Sequence, residues 1–233
     1  GYLENRVAAA TIHDTTVVKT LKKGTPQGGV WSSLAWNTAI DHIIQKFNRP
    51  PFTLVGFADD LCVTISGIDP DTMIELMQPL VDEIVKECSD LGLSFNEKKT
   101  EIVLFTRKRL KKPKRLTVNK IPIEFSKGAK YLGVYLDDKL SMTKHIESKI
   151  KKCKKHLFAL KSVIGKKWGP NPHLMRWAFI GIVRPKLTYA CHLWYHKMTE
   201  TTKKKLLKLN RLACLSIAPV HKSTPTLGNG NNL

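Results

Sequence analysis

The stretch FTLVGFADDLCVTIS, residues 52–66, decides how this chain is read. Apolar residues flank Asp59 and Asp60 on both sides. After them, Leu61, Val63 and Ile65 alternate with Cys62, Thr64 and Ser66, which is the period of a half-buried strand. Two short strands joined at the acidic pair are expected. Neighbouring strand residues face opposite ways, so both carboxylates can approach one ion only if the chain turns there. Like charges about 4 Å apart repel by about 4 kcal/mol at an effective dielectric of about 20, and partly buried carboxylates without partners cost more. A cation is therefore expected beside them. Magnesium suits the site, because it takes few protein carboxylates and lets substrate phosphates complete its shell. The competing reading is a solvated turn, since Asp is a common turn former.

Composition limits the partners. A chain of 233 residues, 42% of them hydrophobic, can bury a real core as one large domain or two modest ones. Its formal charge is +20, with the basic residues clustered. Clustered cations release counterions from phosphate backbones, so nucleic acid is the leading partner and an acidic membrane surface the weaker one. No apolar run is long enough to span a bilayer and no secretory signal opens the chain, which predicts a reducing intracellular setting. Five scattered cysteines without a C-x-x-C spacing read as small core residues. The opening GYLENRVAA resembles the middle of an element, so the chain reads as a piece of a longer protein.

Further pattern reading places the elements. VAAATI and TTVVKTL around His13 and Asp14 predict a hairpin. Glycines 24, 28 and 29 mark a flexible loop, and from Ser32 the residues Leu34, Ala35, Thr38, Ile40, Ile43, Ile44 and Phe47 recur at helical spacing. Asp69 and Pro70 signal the start of a second helix that stops at Gly92, its stripe being Met73, Met77, Leu80, Ile84, Cys88 and Leu91. Pro79 within it predicts a kink or break. EIVLFT, LTVNKIPIEF and AKYLGVYLD are three strand candidates. Beyond about residue 138 the chain turns helical. One amphipathic helix runs from about Ser141 to Gly165 along Met142, Ile146, Ile150, Cys153, Leu157, Leu160 and Ile164. A second follows Asn171 and Pro172 and is broken by Pro185, and a third carries Leu206, Leu209, Leu212 and Leu215. The tail at 223–233 is too polar and glycine-rich to pack and is expected to be disordered.

Four segments stand in an order and approximate spacing that resembles successive motifs of reverse transcriptases: PQGG at 26–29, FADD at 57–60, GLSFNEKKTE at 92–101 and YLGVYLD at 131–137. The set is similar to the non-LTR, LINE-type and jockey-like branch. YLENR resembles the segment that precedes the PQG loop in that family, and WGPNP, IVRPKLTYA and RLACL resemble its thumb region. The resemblance implies an α+β fold. Residues 1–138 would form a partial polymerase palm whose antiparallel sheet carries the FADD hairpin, with residues 139–222 forming an all-helical thumb-like region. It implies an RNA-directed DNA polymerase that extends a DNA primer on an RNA template using deoxynucleoside triphosphates and two Mg2+ ions, with Mn2+ as a substitute. Asp59 would be the main metal ligand and catalytic carboxylate, and Asp60 the second. Gln27 and Gly28 would meet the incoming nucleotide and template base, Lys99 the triphosphate, and Tyr131, Leu132 and Gly133 the primer end. The location implied is cytoplasm and nucleus, in a retrotransposon ribonucleoprotein, with no membrane partner.

The family's third carboxylate lies upstream of the YLENR-like segment, so this chain by itself is expected to be inactive or nearly so. The alternative is a non-enzymatic remnant that binds nucleic acid and has lost chemistry. The run RKRLKKPKR at 107–115 places seven cations in nine residues. With Lys151, Lys152 and Lys155 of the first C-terminal helix, its Arg107, Lys108, Arg109, Lys111 and Lys112 are the candidates for phosphate tracking, against the plainer reading of a solvated charged loop. Asp137 and Asp138, followed by Lys139 and Ser141, read as a turn before a helix. His192 and His196 have zinc-like spacing but no further ligand cluster. The five tryptophans read mostly as core.

Overall fold

The computed structural model describes residues 3–108, 113–162 and 171–217. The chain divides into two compact units, one formed by residues 1–100 with 110–124 and the other by 101–109 with 125–233. This differs from the division expected at 138/139, where the sequence changes character.

The first unit opens with the predicted hairpin, β1 (Arg6–Ile12) against β2 (Thr15–Leu21), in register from Arg6↔Leu21 to Ile12↔Thr15. The Arg6 guanidinium donates to the carbonyls of Lys23 (3.0 Å) and Gly24 (2.6 Å), anchoring the start of the glycine loop. Helix α1 (Ser32–Phe47) buries Ile40, Ile43 and Phe47. These pack with Leu54 of β3 (Phe52–Phe57) and with Leu80, Ile84 and Cys88 of α2 (Pro70–Asp90). Leu34, expected on the apolar stripe, is exposed.

Asp69 caps α2 as expected, accepting from the Thr72 N–H at 2.8 Å and its hydroxyl at 2.7 Å, with Pro70 in the first turn. At the other end Gly92, with φ +75°, supplies the left-handed residue that closes the helix. Of the kink or break expected at Pro79, the break does not occur, and the helix runs through it. An interior proline costs about 3 kcal/mol. Each buried Leu or Ile is worth about 1.5–3 kcal/mol, and Ile74, Leu80 and Ile84 on both sides of the proline outweigh the missing hydrogen bond.

LTVNKIPIEF is a hairpin rather than one strand: β6 (Leu116–Val118) pairs with β7 (Ile121–Ile123) across Asn119 and Lys120, both at positive φ. Two successive left-handed residues make the tight turn that matches strand twist, and Asn is the residue that tolerates it best after Gly. The Gln78 side chain accepts from the Thr117 N–H at 2.8 Å and donates to its carbonyl at 3.0 Å, taking the place of a neighbouring strand for β6.

In the second unit, β5 (Ile102–Val103) pairs in parallel with β8 (Phe125–Ser126), while β9 (Gly128–Tyr131) and β10 (Val134–Asp137) form another hairpin. The described strands thus make separate two-stranded ladders, four of them antiparallel, as expected of the FADD hairpin, and one parallel. Val134 enters the same core as Ile146, Ile150, Cys153 and Leu157 of α3 (Thr143–Ser162), which is why this hairpin belongs with the helices. The helical track continues through α4 (Pro172–Ala178), a π turn at Phe179–Val183 and α5 (Arg184–Thr188). Pro185 does not break it. A proline has no N–H and its ring crowds the carbonyl four residues back, and the wider π turn just before it accommodates both demands. Helix α6 (Cys191–Trp194), a short 3-10 turn and α7 (Glu200–Ile217) complete the unit.

Some expectations are corrected by burial. Cys88 and Cys153 are core residues, whereas Cys191 and Cys214 are exposed. Trp194 is buried, but Trp31 (63% exposed) and Trp177 (65%) are surface residues. Ile164, Gly165, Trp168 and the tail at 223–233 lie outside the described residues. Among the described residues, no helix is long and apolar enough to cross a membrane.

Candidate active site

The acidic pair sits where its flanking strands require. β3 pairs with β4 (Asp60–Ile65) in register Phe52↔Ile65 through Phe57↔Asp60, leaving Ala58 and Asp59 as the two-residue turn. Ala58 has φ +51° and Asp59 does not share the positive value, the dihedral signature of a hairpin turn strained at its first residue. Cross-strand partners share a face, so Leu54, Val63, Gly56 and Leu61 form one side. Asp60 lies on the other side, with Phe57, Val55 and Cys62. Both carboxylates are exposed.

Two contacts hold this tip against α1. The Trp36 indole N–H donates to the Ala58 carbonyl at 2.7 Å, bracing the strained turn. Gly56 allows the strand to approach the helix: a Cβ built there would lie 2.7 Å from Ile44 Cδ1 and 3.3 Å from Leu61 Cδ2. Gly56→Val is therefore expected to destabilise the protein by about 1–3 kcal/mol through overpacking, read as a lower urea midpoint. An unchanged midpoint would show that α1 and β3 do not pack this closely. Neither Trp36 nor Gly56 was marked by sequence pattern, because an indole in a helix and a glycine in a strand carry no local signal of whom they meet.

The glycine loop is held to the same helix. The Ser32 hydroxyl donates to the Pro26 carbonyl, the Gly29 N–H donates to that carbonyl at 3.1 Å, and the Ser32 N–H donates to the Gly29 carbonyl at 3.1 Å. Ser32 thus secures the start of α1. Gly28 has φ +79°, a conformation that other residues rarely adopt. An open cleft of about 620 Å3 results, lined on one side by Thr25, Pro26 and Gln27 and on the other by Gly56, Phe57, Ala58 and Asp59, with Trp36 and Asn37 between. Its volume falls within the usual range of ligand sites. Gln27 and Asp59 line it together, while Asp60 does not.

Other predicted residues lie elsewhere. Lys99 is an exposed residue of the turn that follows Asn96 and does not line the cleft. Tyr131 ends β9, and Leu132 and Gly133 form the turn of the second-unit hairpin. Arg107, Lys108, Lys151, Lys152 and Lys155 are exposed, whereas Arg109, Lys111 and Lys112 lie outside the described residues. The basic run is partly committed within the first unit: Lys114 pairs with Glu75, and Arg115 with Glu124 at 2.8 Å.

Asp137, expected in a turn before a helix, has that structural role. Its buried carboxylate accepts from the N–H groups of Lys139 (3.2 Å), Ser141 (2.9 Å) and Met142 (2.8 Å) and from the Ser141 hydroxyl (3.1 Å). Burial alone would raise its pKa, but these hydrogen bonds prevail and hold it below the ordinary carboxylate value.

The donor chemistry fits a hard divalent cation in part. Asp59 and Asp60 offer exposed carboxylate oxygens at one turn, as magnesium prefers. Among the described residues, no group of three or more His, Cys, Asp or Glu is placed to hold a metal ion. The pair therefore suits an ion whose shell is completed by water and phosphate.

Residues 5–136 match the family model described as reverse transcriptase (RNA-dependent DNA polymerase). Similar proteins include a putative 115 kDa protein in the type-1 retrotransposable element R1DM of Drosophila melanogaster, 23% identical over 93% of this chain and 21% of that protein. A retrovirus-related Pol polyprotein from the type-1 retrotransposable element R1 of Nasonia vitripennis is 23% identical over 87% of this chain and 62% of its own length. A probable RNA-directed DNA polymerase from the Drosophila melanogaster transposon X-element is 28% identical over 83% and 22%. The chain thus spans between about a fifth and three fifths of these relatives. No solved structure matches it. With Asp59 of the acidic pair lining one cleft with Pro26 and Gln27 of the PQGG segment, and with the family model covering more than half its length, the chain belongs to the reverse transcriptase family, on its non-LTR retrotransposon branch.

Proposed function

We propose that this chain is the palm and thumb part of an RNA-directed DNA polymerase that extends a DNA primer on an RNA template. The observation that carries the reading is the cleft lined by both Gln27 and Asp59, residues far apart in sequence. Asp59 and Asp60 would hold two Mg2+ ions, with Mn2+ as a substitute. Such ions, when bound, activate the primer hydroxyl and neutralise charge on the leaving pyrophosphate. The residues of this chain do the positioning. Gln27 and the backbone of Gly28 bound the space for the incoming deoxynucleoside triphosphate and its template base, where a glycine permits close approach. Trp36 keeps the Ala58–Asp59 turn from drifting, so that the carboxylates meet their ligands without reorganising. Lys99 offers a cation for triphosphate charge, and the Tyr131–Gly133 turn receives the primer end.

Exposed cations carry the nucleic acid. Arg107, Lys108, Lys151, Lys152 and Lys155 track the phosphates of the template–primer hybrid, largely without regard to sequence. The site of action is a retrotransposon ribonucleoprotein passing between cytoplasm and nucleus.

With two carboxylates at the turn and no third His, Cys, Asp or Glu beside them among the described residues, the isolated 233-residue chain binds hybrid but does not extend it. Primer extension with magnesium tests this. A longer polypeptide carrying a further upstream aspartate should synthesise DNA, and the 233-residue chain should not. Robust synthesis by the short chain would overturn the need for a third carboxylate. Failure of both to bind hybrid would overturn the polymerase reading.

A further inference from the structure

The β9–β10 hairpin turns on Leu132 and Gly133, both in the left-handed region at φ +46° and +79°. Glycine enters that region freely, but leucine does so only under constraint. The constraint arrives from 57 residues away: the Tyr189 hydroxyl donates to the Leu132 carbonyl at 2.7 Å. The same ring covers the next residue, since a Cβ built on Gly133 would lie 3.4 Å from Tyr189 Cε1.

Tyr189 is itself held at two points. It caps α5, and its carbonyl accepts the indole N–H of the buried Trp194 at 3.1 Å. Over its ring stands the Lys149 ammonium of α3, 4.6 Å from the centroid, a cation–π contact that fixes the ring's position. Meanwhile the far strand is pinned separately, the Tyr135 N–H donating to His145 Nδ1 at 3.1 Å. A half-exposed tyrosine with so many fixed partners, aimed at one strained carbonyl, is better built than packing alone requires.

We propose that Tyr189 is a positioning residue that locks the 131–133 turn in the shape that receives the primer 3′ end, an inference that rests on the polymerase reading above. Without the hydroxyl the turn samples other conformers, and binding of a primer terminus is weakened by the fraction of molecules in which the turn is misplaced. Losing one neutral hydrogen bond predicts about a 2- to 10-fold effect. Contacts along the duplex, made by Arg107, Lys108, Lys151, Lys152 and Lys155, do not use the Tyr189 hydroxyl and are untouched.

Fluorescence anisotropy with the 233-residue chain tests this, using two RNA–DNA hybrids of equal paired length. One has a recessed DNA 3′ end with an RNA overhang, and the other is blunt. Wild type is expected to prefer the recessed end. Tyr189→Phe should bind the recessed hybrid about 2- to 10-fold more weakly while holding the blunt one as wild type does. Hydrogen exchange at the 131–134 amides should be faster and that of the α3 amides unchanged. Gly133→Ala, which puts a Cβ at a φ of +79° that side chains rarely adopt and so strains the same turn, should give the same selective loss. Wild-type binding of both hybrids by Tyr189→Phe, or equal loss of both by both variants, would overturn the proposal alone. A wild-type chain with no preference for the recessed end would overturn the polymerase reading and the proposal with it.

Discussion

Asp59→Asn, introduced into the longer polypeptide proposed above to synthesise DNA, is expected to abolish measurable synthesis while leaving the hybrid bound. The side chain is exposed and stands at a turn braced through the backbone, by Trp36 on Ala58, so the substitution leaves the hairpin in place. What it removes is charge. A metal ion contributes several kcal/mol of transition-state stabilisation, and at about 1.36 kcal/mol per decade this corresponds to a fall in rate on the order of 10³-fold. Affinity for hybrid should be unchanged or slightly higher, because one repulsive carboxylate is gone and the exposed cations proposed to meet phosphate remain. Asp60→Asn, whose side chain does not line the cleft, should cost less. Single-turnover extension and anisotropy on the same preparations decide the matter. Retained synthesis by Asp59→Asn would sink the assignment of this carboxylate. Loss of hybrid binding in step with synthesis would point to a folding defect, not to chemistry.

Asp137→Ala is expected to be the most damaging substitution for stability. Its carboxylate gathers N–H groups at the start of α3, including that of the buried Met142. Each buried donor left without a partner costs about 1–3 kcal/mol, so a loss of about 2–4 kcal/mol is expected, a large share of the 5–15 kcal/mol typical of a domain. Urea unfolding at pH 7 should show it, and Asp137→Asn, which keeps one acceptor oxygen, should fall between. Equal midpoints for all three proteins would mean that the carboxylate is dispensable.

Acid should expose the same residue. Its folded pKa is lower than its unfolded value, so the unfolded chain takes up the proton first. The stabilisation is complete above about pH 3.9 and is lost as pH falls below it. His145 acts earlier and with the same sign. Burial first, then Lys149 and Lys152, hold its imidazole below the ordinary value, with Nδ1 accepting from the Tyr135 N–H. The unfolded state again binds more protons, so stability declines as pH drops below about 6.5. Midpoints measured from pH 7 to pH 3 should fall in two stages, and His145→Gln should remove the upper one. A flat profile between pH 7 and 5 in the parent protein would contradict this.

Much of the molecule was legible in one dimension. Alternation around Asp59 and Asp60 marked the hairpin, helical spacing marked Ile43, Phe47, Ile146, Cys153 and Leu157 as core, and Asp69-Pro70 marked a helix start. These are local properties, set by the period of a strand or helix and by the chemistry of its ends. The order of PQGG, FADD, GLSFNEKKTE and YLGVYLD pointed to the family. What patterning missed turned on energies summed over distant neighbours: α2 stays whole through Pro79 because burial on both sides outweighs one lost hydrogen bond, and a π turn accommodates Pro185. The hairpin of Gly128–Asp137 joins the helices because Val134 is buried among them.

By itself, then, the sequence marked most of the helices and the hairpin that carries Asp59 and Asp60, and the order of four short motifs pointed to the family, since each of these signals is a local pattern of residue types. Only the tertiary structure decided that Trp36 braces the Ala58 carbonyl, that Gln27 and Asp59 share a cleft, that Tyr189 locks Leu132 and that Asp137 is a helix support. Hydrogen bonds and close packing between residues brought together by folding depend on distance and direction in space, and spacing along the chain carries neither.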